Sequence, residues 1–359
     1  MIPEEWFASS PPAILAVAPM VGQCDLPFRL LTERLGATVI YSEMLLAGEF
    51  CKGNEEGERY RRQAFGSKIL PEGKVNVQFA SNRPEEFLEA ALKAQQLGAA
   101  AVDLNLGCPQ RRAKEGKYGA YMTDPADWRL CCDVIKAAVS DARLSIPVTV
   151  KIRLQKTLEE TIEFAGMLKD SGAALIAIHG RHRGSEDNRR DGSADLDAVA
   201  AAVSALKPLP VLTNGNVRGA EDVLNNLRHT KAAGIMVAEE LLRDPALFAR
   251  AGAGADVEVP KRVVDLAEAY SKACESCGLR LDDGSRNGKN GNQIRGVAAE
   301  GEVEFERFST WWTNAESVKG HLKNMLGGKG DLTSRRTFKK AEGANGAIHS
   351  FRRRFSLMK

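Results

Sequence analysis

Eight short runs rich in apolar and β-branched residues recur along this chain: "ILAVAPM", "TVIYSEML", "KVNVQFA", "AAVDLNLG", "PVTVKIRL", "LIAIHGR", "PVLTNGN" and "AGIMVAEE". Amphipathic stretches such as "RPEEFLEAALKAQQLG" and "TLEETIEFAGMLKDSG" separate most of them, with apolar residues at helical spacing. Eight strand and helix units in about 240 residues fit a closed, parallel (β/α)8 TIM barrel. An open, doubly wound sheet accommodates the same alternation, so the placement of the polar residues has to decide.

Those residues fall at the ends of the runs. Pro19 and Met20 end the first, Gln78 the third, Asn105 and Cys108 the fourth, Lys151 and Arg153 the fifth, His179 and Arg181 the sixth, and Asn214 the seventh. Active sites of parallel barrels form where the carboxyl ends of the strands run into the loops before the helices. Polar ends on so many strands favour closure, because only a closed barrel brings them all to one mouth.

The chain has 359 residues, 43% of them hydrophobic, which fills a large domain and a smaller one. We divide it into a catalytic barrel over 1–252 and a mainly α-helical C-terminal domain over 253–359. In the second part "KRVVDLAEAYSKACESCG" reads as a helix, and the Gly- and Asn-rich segment near 282–303 reads as a flexible insertion. "FSTWWTNAESVKGHLKNMLGG" then resumes a helical pattern, with Gly327 and Gly328 as its stop.

The formal charge of +3 conceals an asymmetry. From Lys319 to Lys359 there are 11 Lys and Arg against 2 Asp and Glu, whereas the preceding residues carry 39 against 45. "SRRTFKK" and "FRRRF" interleave cations with phenylalanine, a composition suited to phosphate contact with some base stacking. The plainer reading is a solvated basic tail. No run approaches about 18 apolar residues, so no membrane partner is expected. The first residues are acidic and broken by prolines, unlike a secretory leader. Seven cysteines without a regular framework suggest reduced thiols, and a cytoplasmic or nuclear location is expected.

One phrase, "DLNLGCPQ", ends an apolar run by holding Cys108 between Gly107 and Pro109. Buried structural cysteines usually act as small hydrophobes within regular elements. Here Gly107 permits angles and approaches that a side chain forbids, and Pro109 biases Cys108 towards an extended conformation, which presents a thiol. Lys151 and His179 at adjacent strand ends are expensive as filler, and an anionic, hydrogen-bond-rich ligand would satisfy them. "TNGNVRG" and "MVAEELLRDP" supply a glycine turn and short loops before helices, where barrels commonly bind phosphate.

These residues carry a resemblance. "APMVGQCDLPFRLL", "VQFA", "DLNLGCPQ", "VKIR", "IHGR" and "NGN" are similar in order and spacing to the tRNA-dihydrouridine synthases, over about residues 13–250. "CPQRRAKEGKYGAYMTDPADW" and "MVAEELLRDPALF" resemble the eukaryotic branch that modifies the D-loop of cytosolic tRNA. The resemblance implies an FMN-dependent barrel that reduces uridine in tRNA, with NADPH as reductant and the tRNA D-loop as partner. It implies that Pro19, Met20 and Val21 line the flavin ring, and that Gln78, Lys151 and His179 hydrogen-bond to FMN. Asn214, Gly215 and Asn216, with Ala238 and Glu239, would hold the phosphate through their backbone. Cys108 would be the proton donor, with Asn105 beside the flipped uracil and Lys151, Arg153 and Arg181 also facing the substrate. Bacterial relatives usually carry Asp at the third position of "NGN" and Gly-Arg where this chain has Ala238 and Glu239, a change that removes a cationic phosphate partner. A monomer is expected, and no metal.

The chemistry asks for the same parts. Reducing the C5–C6 bond of uracil takes a hydride on one carbon and a proton on its neighbour; flavin supplies the first and the protein must supply the acid. Lys151 is the best placed group to stabilise developing negative charge. A barrel that reduces a small molecule, as dihydroorotate dehydrogenase-like flavoproteins do, and an RNA-binding relative without catalysis remain as alternatives. The basic tail argues against the first, and the intact Cys108, Lys151 and His179 against the second. Cys274 and Cys277 form one C-x-x-C without a second pair of ligands nearby, Cys131 and Cys132 read as helix packing, and Cys24 and Cys51 have no evident partner. His182 reads as a surface loop residue, and His229, His321 and His349 show no ligand spacing.

Overall fold

The computed structural model describes residues 2–7, 13–65, 73–184, 192–252 and 269–270. The strands are β1 (Ile14–Val17), β2 (Val39–Tyr41), β3 (Leu45–Leu46), β4 (Val75–Ala80), β5 (Ala101–Leu106), β6 (Val148–Arg153), β7 (Leu175–His179), β8 (Val211–Asn214) and β9 (Gly234–Val237). All pair in parallel, in the order β2-β1-β9-β8-β7-β6-β5-β4-β3, and a further pairing of β2 with β4 closes the ring. The closed barrel thus has eight members, with β3 set against β4 outside that ring.

The second run of the sequence differs from expectation. "TVIYSEML" is not one strand: pairing stops after Tyr41 and resumes at Leu45, now beside Phe79 and Ala80 rather than β1. The interruption has a local cause. Ser42 donates its hydroxyl to the carbonyl of Glu43 and also accepts from the backbone N–H of Gln78, so the chain is held by a side chain where a ladder would continue.

Among the helices are α1 (Leu26–Arg34), α2 (Ala47–Cys51), α3 (Glu55–Phe65), α4 (Pro84–Gln96), α5 (Arg111–Glu115) and α6 (Trp128–Val139). Then follow α7 (Leu158–Asp170), α8 (Leu196–Ala205), α9 (Ala220–Thr230), α10 (Glu239–Arg243) and α11 (Leu247–Arg250). Their starts follow from sequence. Asp25, Thr157 and Asp195 accept the backbone N–H three residues on and so cap α1, α7 and α8. In α4, Phe87, Ala90, Ala91 and Ala94 are buried at the spacing of one helical face, as the pattern of that segment requires.

Two apolar layers result. Val102, Leu104 and Leu106 of β5 point outward, where they pack with helix residues such as Phe87, Cys131 and Ile135. The barrel interior holds Ile14, Ala16, Tyr41, Ala101, Leu175, Ala177, Leu212 and Met236, with Trp6 packed among them. Above these the filling turns polar: Asn76, Gln78, Asp103 and Thr149 are all fully buried.

The C-terminal domain expected over 253–359, with its insertion near 282–303, lies outside the described residues apart from Ala269 and Tyr270. These two are helical, and Tyr270 is fully buried against the α1 side of the barrel, its hydroxyl donating to Asp25 Oδ2 at 3.1 Å. Among the described residues no helix is long and apolar enough to cross a membrane.

Candidate active site

The carboxyl ends of the strands enclose a cavity of about 730 Å³. Beyond β1 it is lined by Pro19, Met20 and Val21, at β4 by Gln78, and at β5 by Asn105 and Cys108. Lys151 and Arg153 come from β6, His179 and Arg181 from β7 and the loop after it. Asn214, Gly215 and Asn216 follow on β8, and Ala238 and Glu239 beyond β9. Every site residue expected from the sequence lies at this one mouth. Strand geometry explains the selection: alternate side chains face the interior, so 103 and 105, or 149, 151 and 153, point the same way.

The Gly-Cys-Pro turn is held from three sides. Asn105 Oδ1 accepts the backbone N–H of Gly107 at 3.1 Å and of Cys108 at 2.9 Å. Arg153 Nε donates to the Gly107 carbonyl at 2.9 Å, and its Nη1 to the His182 carbonyl at 2.8 Å, so this guanidinium ties two mouth loops together. Ala120 N–H donates to the Cys108 carbonyl at 3.1 Å. The need for glycine falls elsewhere than the sequence suggests. A Cβ at Gly107 would meet nothing nearer than the Lys151 carbonyl at 3.5 Å, an ordinary contact. At Gly119, whose φ is +65°, a Cβ would lie 2.9 Å from the Cys108 carbonyl oxygen. Cys108 is half-buried, whereas Cys24, Cys51, Cys131 and Cys132 are buried; the last two pack within α6, as expected.

Cations outnumber acids at the mouth: Lys151, Arg153, Arg181, Arg218 and Arg243 line it against Glu239 and Glu240. Lys151 Nζ donates to Asn214 Oδ1 at 3.1 Å, and burial, followed by the nearby Arg153 charge, pushes its pKa down to about 8. Arg153 is pushed down to about 10, by burial first and then Arg181. His179 is pushed down to about 2, by burial first and then by Lys151, Arg153 and Arg181. It is therefore neutral, and because Arg181 Nη1 lies 3.1 Å from its Nε2 and is a donor, the ring proton sits on Nδ1. Arg181 also donates through Nε to the Gly192 carbonyl at 2.9 Å. His182 is exposed, and it is its carbonyl rather than its ring that meets the site.

At the β8–α9 side, Gly215 (φ +126°) and Asn216 (φ +53°) both occupy the left-handed region. A Cβ on Gly215 would come 2.6 Å from Ala194 Cβ, and Asn216 is locked to the Ala194 backbone by hydrogen bonds of 2.8 and 2.7 Å. Arg218, Glu240 and Arg243 line this end and were not anticipated, nor were Met44, Gln110 and Met236. Arg218 had a signal, since it directly follows "NGNV"; exposed arginines on short helices such as Arg243 have none. Asp103 beneath the site was also missed, although it stands two residues before Asn105 and so shares its face. Among the described residues no group of three His, Cys, Asp or Glu side chains is arranged to hold a metal.

The chain is 39% identical over 246 residues to a tRNA-dihydrouridine(16/17) synthase-like protein of Rattus norvegicus, covering 68% of this chain and 54% of the rat protein. It is 34% identical over 281 residues to the tRNA-dihydrouridine(16/17) synthase of Schizosaccharomyces pombe, covering 78% of this chain and 68% of that one. The Saccharomyces cerevisiae counterpart is 36% identical over 233 residues, 65% of this chain and 53% of its own. The chain thus spans about half the length of the rat protein. The model of the dihydrouridine synthase family matches residues 16–334, so that its strand-end residues and its overall sequence agree: the chain belongs to the dihydrouridine synthase family.

Proposed function

We propose that this chain reduces uridines in the D-loop of tRNA to 5,6-dihydrouridine, with FMN in the barrel mouth, NADPH as reductant and Cys108 as proton donor. The observation that carries the reading is convergence: a thiol, an amide pair, a lysine and a neutral histidine from separate strand ends line a single cavity. The names of the rat and fission yeast relatives, which specify tRNA and NAD(P)(+), support the substrate and the reductant.

The residues fit FMN. The cavity is within the range of cofactor sites, roughly 300–1,000 Å³. Gln78, Lys151 and Arg181 supply donors for a carbonyl-rich ring, and Pro19, Met20 and Val21 supply an apolar wall. The left-handed turn at Gly215 and Asn216 lies on the approach to α9 with its backbone on the cavity wall, and a side chain at Gly215 would collide with Ala194 and press on the His179 ring. When bound, FMN supplies the hydride that reduction of the uracil double bond requires. Cys108 Sγ holds the proton that the neighbouring carbon takes up. Lys151 Nζ, whose charge is close to titrating, stabilises negative charge developing on the base. Asn105 orients the base beside the thiol. Taking that base out of its stack costs a few kcal/mol, which the basic residues between Lys319 and Lys359 offset through phosphate contacts.

The test is direct. Purified protein mixed with FMN, NADPH and unmodified tRNA is assayed for dihydrouridine by mass spectrometry, with the modified position mapped. Cys108→Ala is expected to keep its yellow flavin and lose most reduction. A protein that takes up no FMN overturns the reading, and turnover of a free pyrimidine without tRNA replaces it with the small-molecule reductase.

A further inference from the structure

Asp103, Gln78 and Thr149 occupy register-paired positions on three neighbouring strands, β5, β4 and β6, directly under the cavity floor. All three are fully buried, and Asp103 and Thr149 do not line the cavity. Asp103 Oδ2 accepts from Gln78 Nε2 at 2.8 Å, and Oδ1 accepts from Thr149 Oγ1 at 2.6 Å. Gln78 Oε1 accepts from Asn105 Nδ2 at 2.7 Å.

The direction of this chain is forced from its upper end. The backbone N–H groups of Gly107 and Cys108 are donors only, so the Asn105 atom they meet is the oxygen. Its nitrogen then faces Gln78, whose accepting atom must be oxygen, and the Gln78 nitrogen must in turn find an acceptor. Asp103 is that acceptor. An apolar residue in its place leaves a buried Gln78 N–H without a partner and removes the lower anchor of the chain, so that Gln78 and Asn105 are held from the Cys108 turn alone.

We propose that Asp103 is a positioning residue: its carboxyl terminates a one-way hydrogen-bond chain through Gln78 and Asn105 that seats the Cys108 turn, uses both lone pairs of the Asn105 oxygen and leaves each amide an N–H to offer into the cavity. A site so arranged favours rings that present carbonyl oxygens. Burial pushes the Asp103 pKa up to about 7, against the hydrogen bonds from Thr149 and Gln78 and the charge of Lys151. Either protonation state completes the chain. Ionised, Asp103 accepts twice. Protonated, it donates to Thr149 Oγ1, whose own proton then turns to the Val102 carbonyl, 3.4 Å away. Asparagine in the same rotamer does likewise, so Asp103→Asn preserves the chain and Asp103→Leu breaks it.

The inference rests on the proposed function for the role of Cys108, but not for the chain itself. With tRNA and NADPH, Asp103→Leu is expected to lower kcat at least tenfold with KM for tRNA unchanged, and Asp103→Asn to restore kcat to within about threefold of the parent. Alkylation of Cys108 by iodoacetamide, followed by peptide mass spectrometry, should change severalfold in the leucine variant only. In the unaltered protein, the hydrogen-bonded side-chain N–H of Gln78 and of Asn105 should exchange with solvent at least a hundredfold more slowly than those of free amides, a measurement that needs no variant to fold. Free exchange of these groups, or a leucine variant with parental kcat and thiol reactivity, overturns the proposal. An unaltered protein that makes no dihydrouridine overturns the proposed function instead, and the exchange and alkylation results still decide the chain.

Discussion

Lys151 and Asn214 meet across the barrel mouth, the lysine of β6 donating to Asn214 Oδ1 at 3.1 Å over the intervening strand β7. The amide cannot turn away, because its Nδ2 donates to the Met236 carbonyl on β9 at 2.7 Å. The pair therefore ties β6 to β9 and fixes where the ammonium stands. Its remaining N–H groups are left for an anionic or carbonyl-bearing ligand.

Binding of FMN should take up a proton at alkaline pH. Lys151 is lowered to about 8 by burial and by Arg153, so above that pH it is increasingly neutral. An anionic ligand favours the charged form, and linkage then demands proton uptake on binding and affinity that falls as pH rises past about 8. Titration calorimetry at pH about 8.5, in buffers of different ionisation enthalpy, is expected to show this uptake. Lys151→Gln should abolish it, and equal heats in all buffers would exclude Lys151 as the titrating group.

His179 and Asp103 should oppose each other in acid. The unfolded chain protonates a histidine near 6.5, whereas folded His179 does so only at about 2, so its contribution to stability falls as pH falls below 6.5. Folded Asp103 binds its proton near 7 and the unfolded chain near 3.8, so its contribution rises over that descent. Each is worth about 1.4 kcal/mol per pH unit per proton, with opposite sign. Asp103→Asn removes one side of the balance. Urea unfolding between pH 4 and 6.5 should show its stability falling with acidification more steeply than the parent by about that slope, and parallel curves would place the Asp103 titration elsewhere on the pH scale.

How much of this was visible in the chain alone depends on the range of the interaction. The barrel was legible because each strand and helix carries its own period and caps: Thr157 with Glu160, or the spacing of Phe87, Ala90, Ala91 and Ala94, needs nothing beyond the segment. The mouth residues were legible because a parallel barrel turns "end of a run" into "same side of the molecule". The break at Ser42 was not, since it depends on Gln78, 36 residues on. Asp103 was read past because a single carboxylate in "AVDLNLG" looks the same whether its partners are water or Gln78 and Thr149. Gly107 drew attention by adjacency, whereas the glycine pressed against Cys108 is Gly119, which sequence does not bring near.

Gly119→Ala should therefore separate folding from catalysis. A non-glycine residue in the left-handed region costs about 1–2 kcal/mol. The new methyl also meets the Cys108 carbonyl oxygen at 2.9 Å and Cys108 Cβ at 3.0 Å, so the turn has to move. The expected outcome is retained flavin with kcat reduced at least tenfold. Gly73→Ala is the control: its φ is +71° and nothing lies within 4 Å of the added methyl, so it bears the backbone cost alone. Equal activity in both variants would mean that the position of Cys108 does not matter.

Discrimination between FMN and riboflavin should depend on Arg218. The phosphate end of the proposed site carries two acids, Glu239 and Glu240, and two arginines, Arg218 and Arg243. Arg243 is paired with Glu240 at 3.2 Å, which leaves Arg218, just after the left-handed Asn216, as the cation best able to compensate for the Ala238–Glu239 substitution. It is exposed, so solvent screening limits its worth to about 1 kcal/mol, or threefold to tenfold in affinity. Arg218→Ala should weaken FMN by that factor, leave riboflavin unchanged, and reduce the salt dependence of FMN binding, all readable from quenching of flavin fluorescence. Equal losses for both flavins would assign Arg218 to the fold of the β8–α9 loop, and the backbone turn at Gly215 would then hold the phosphate without it.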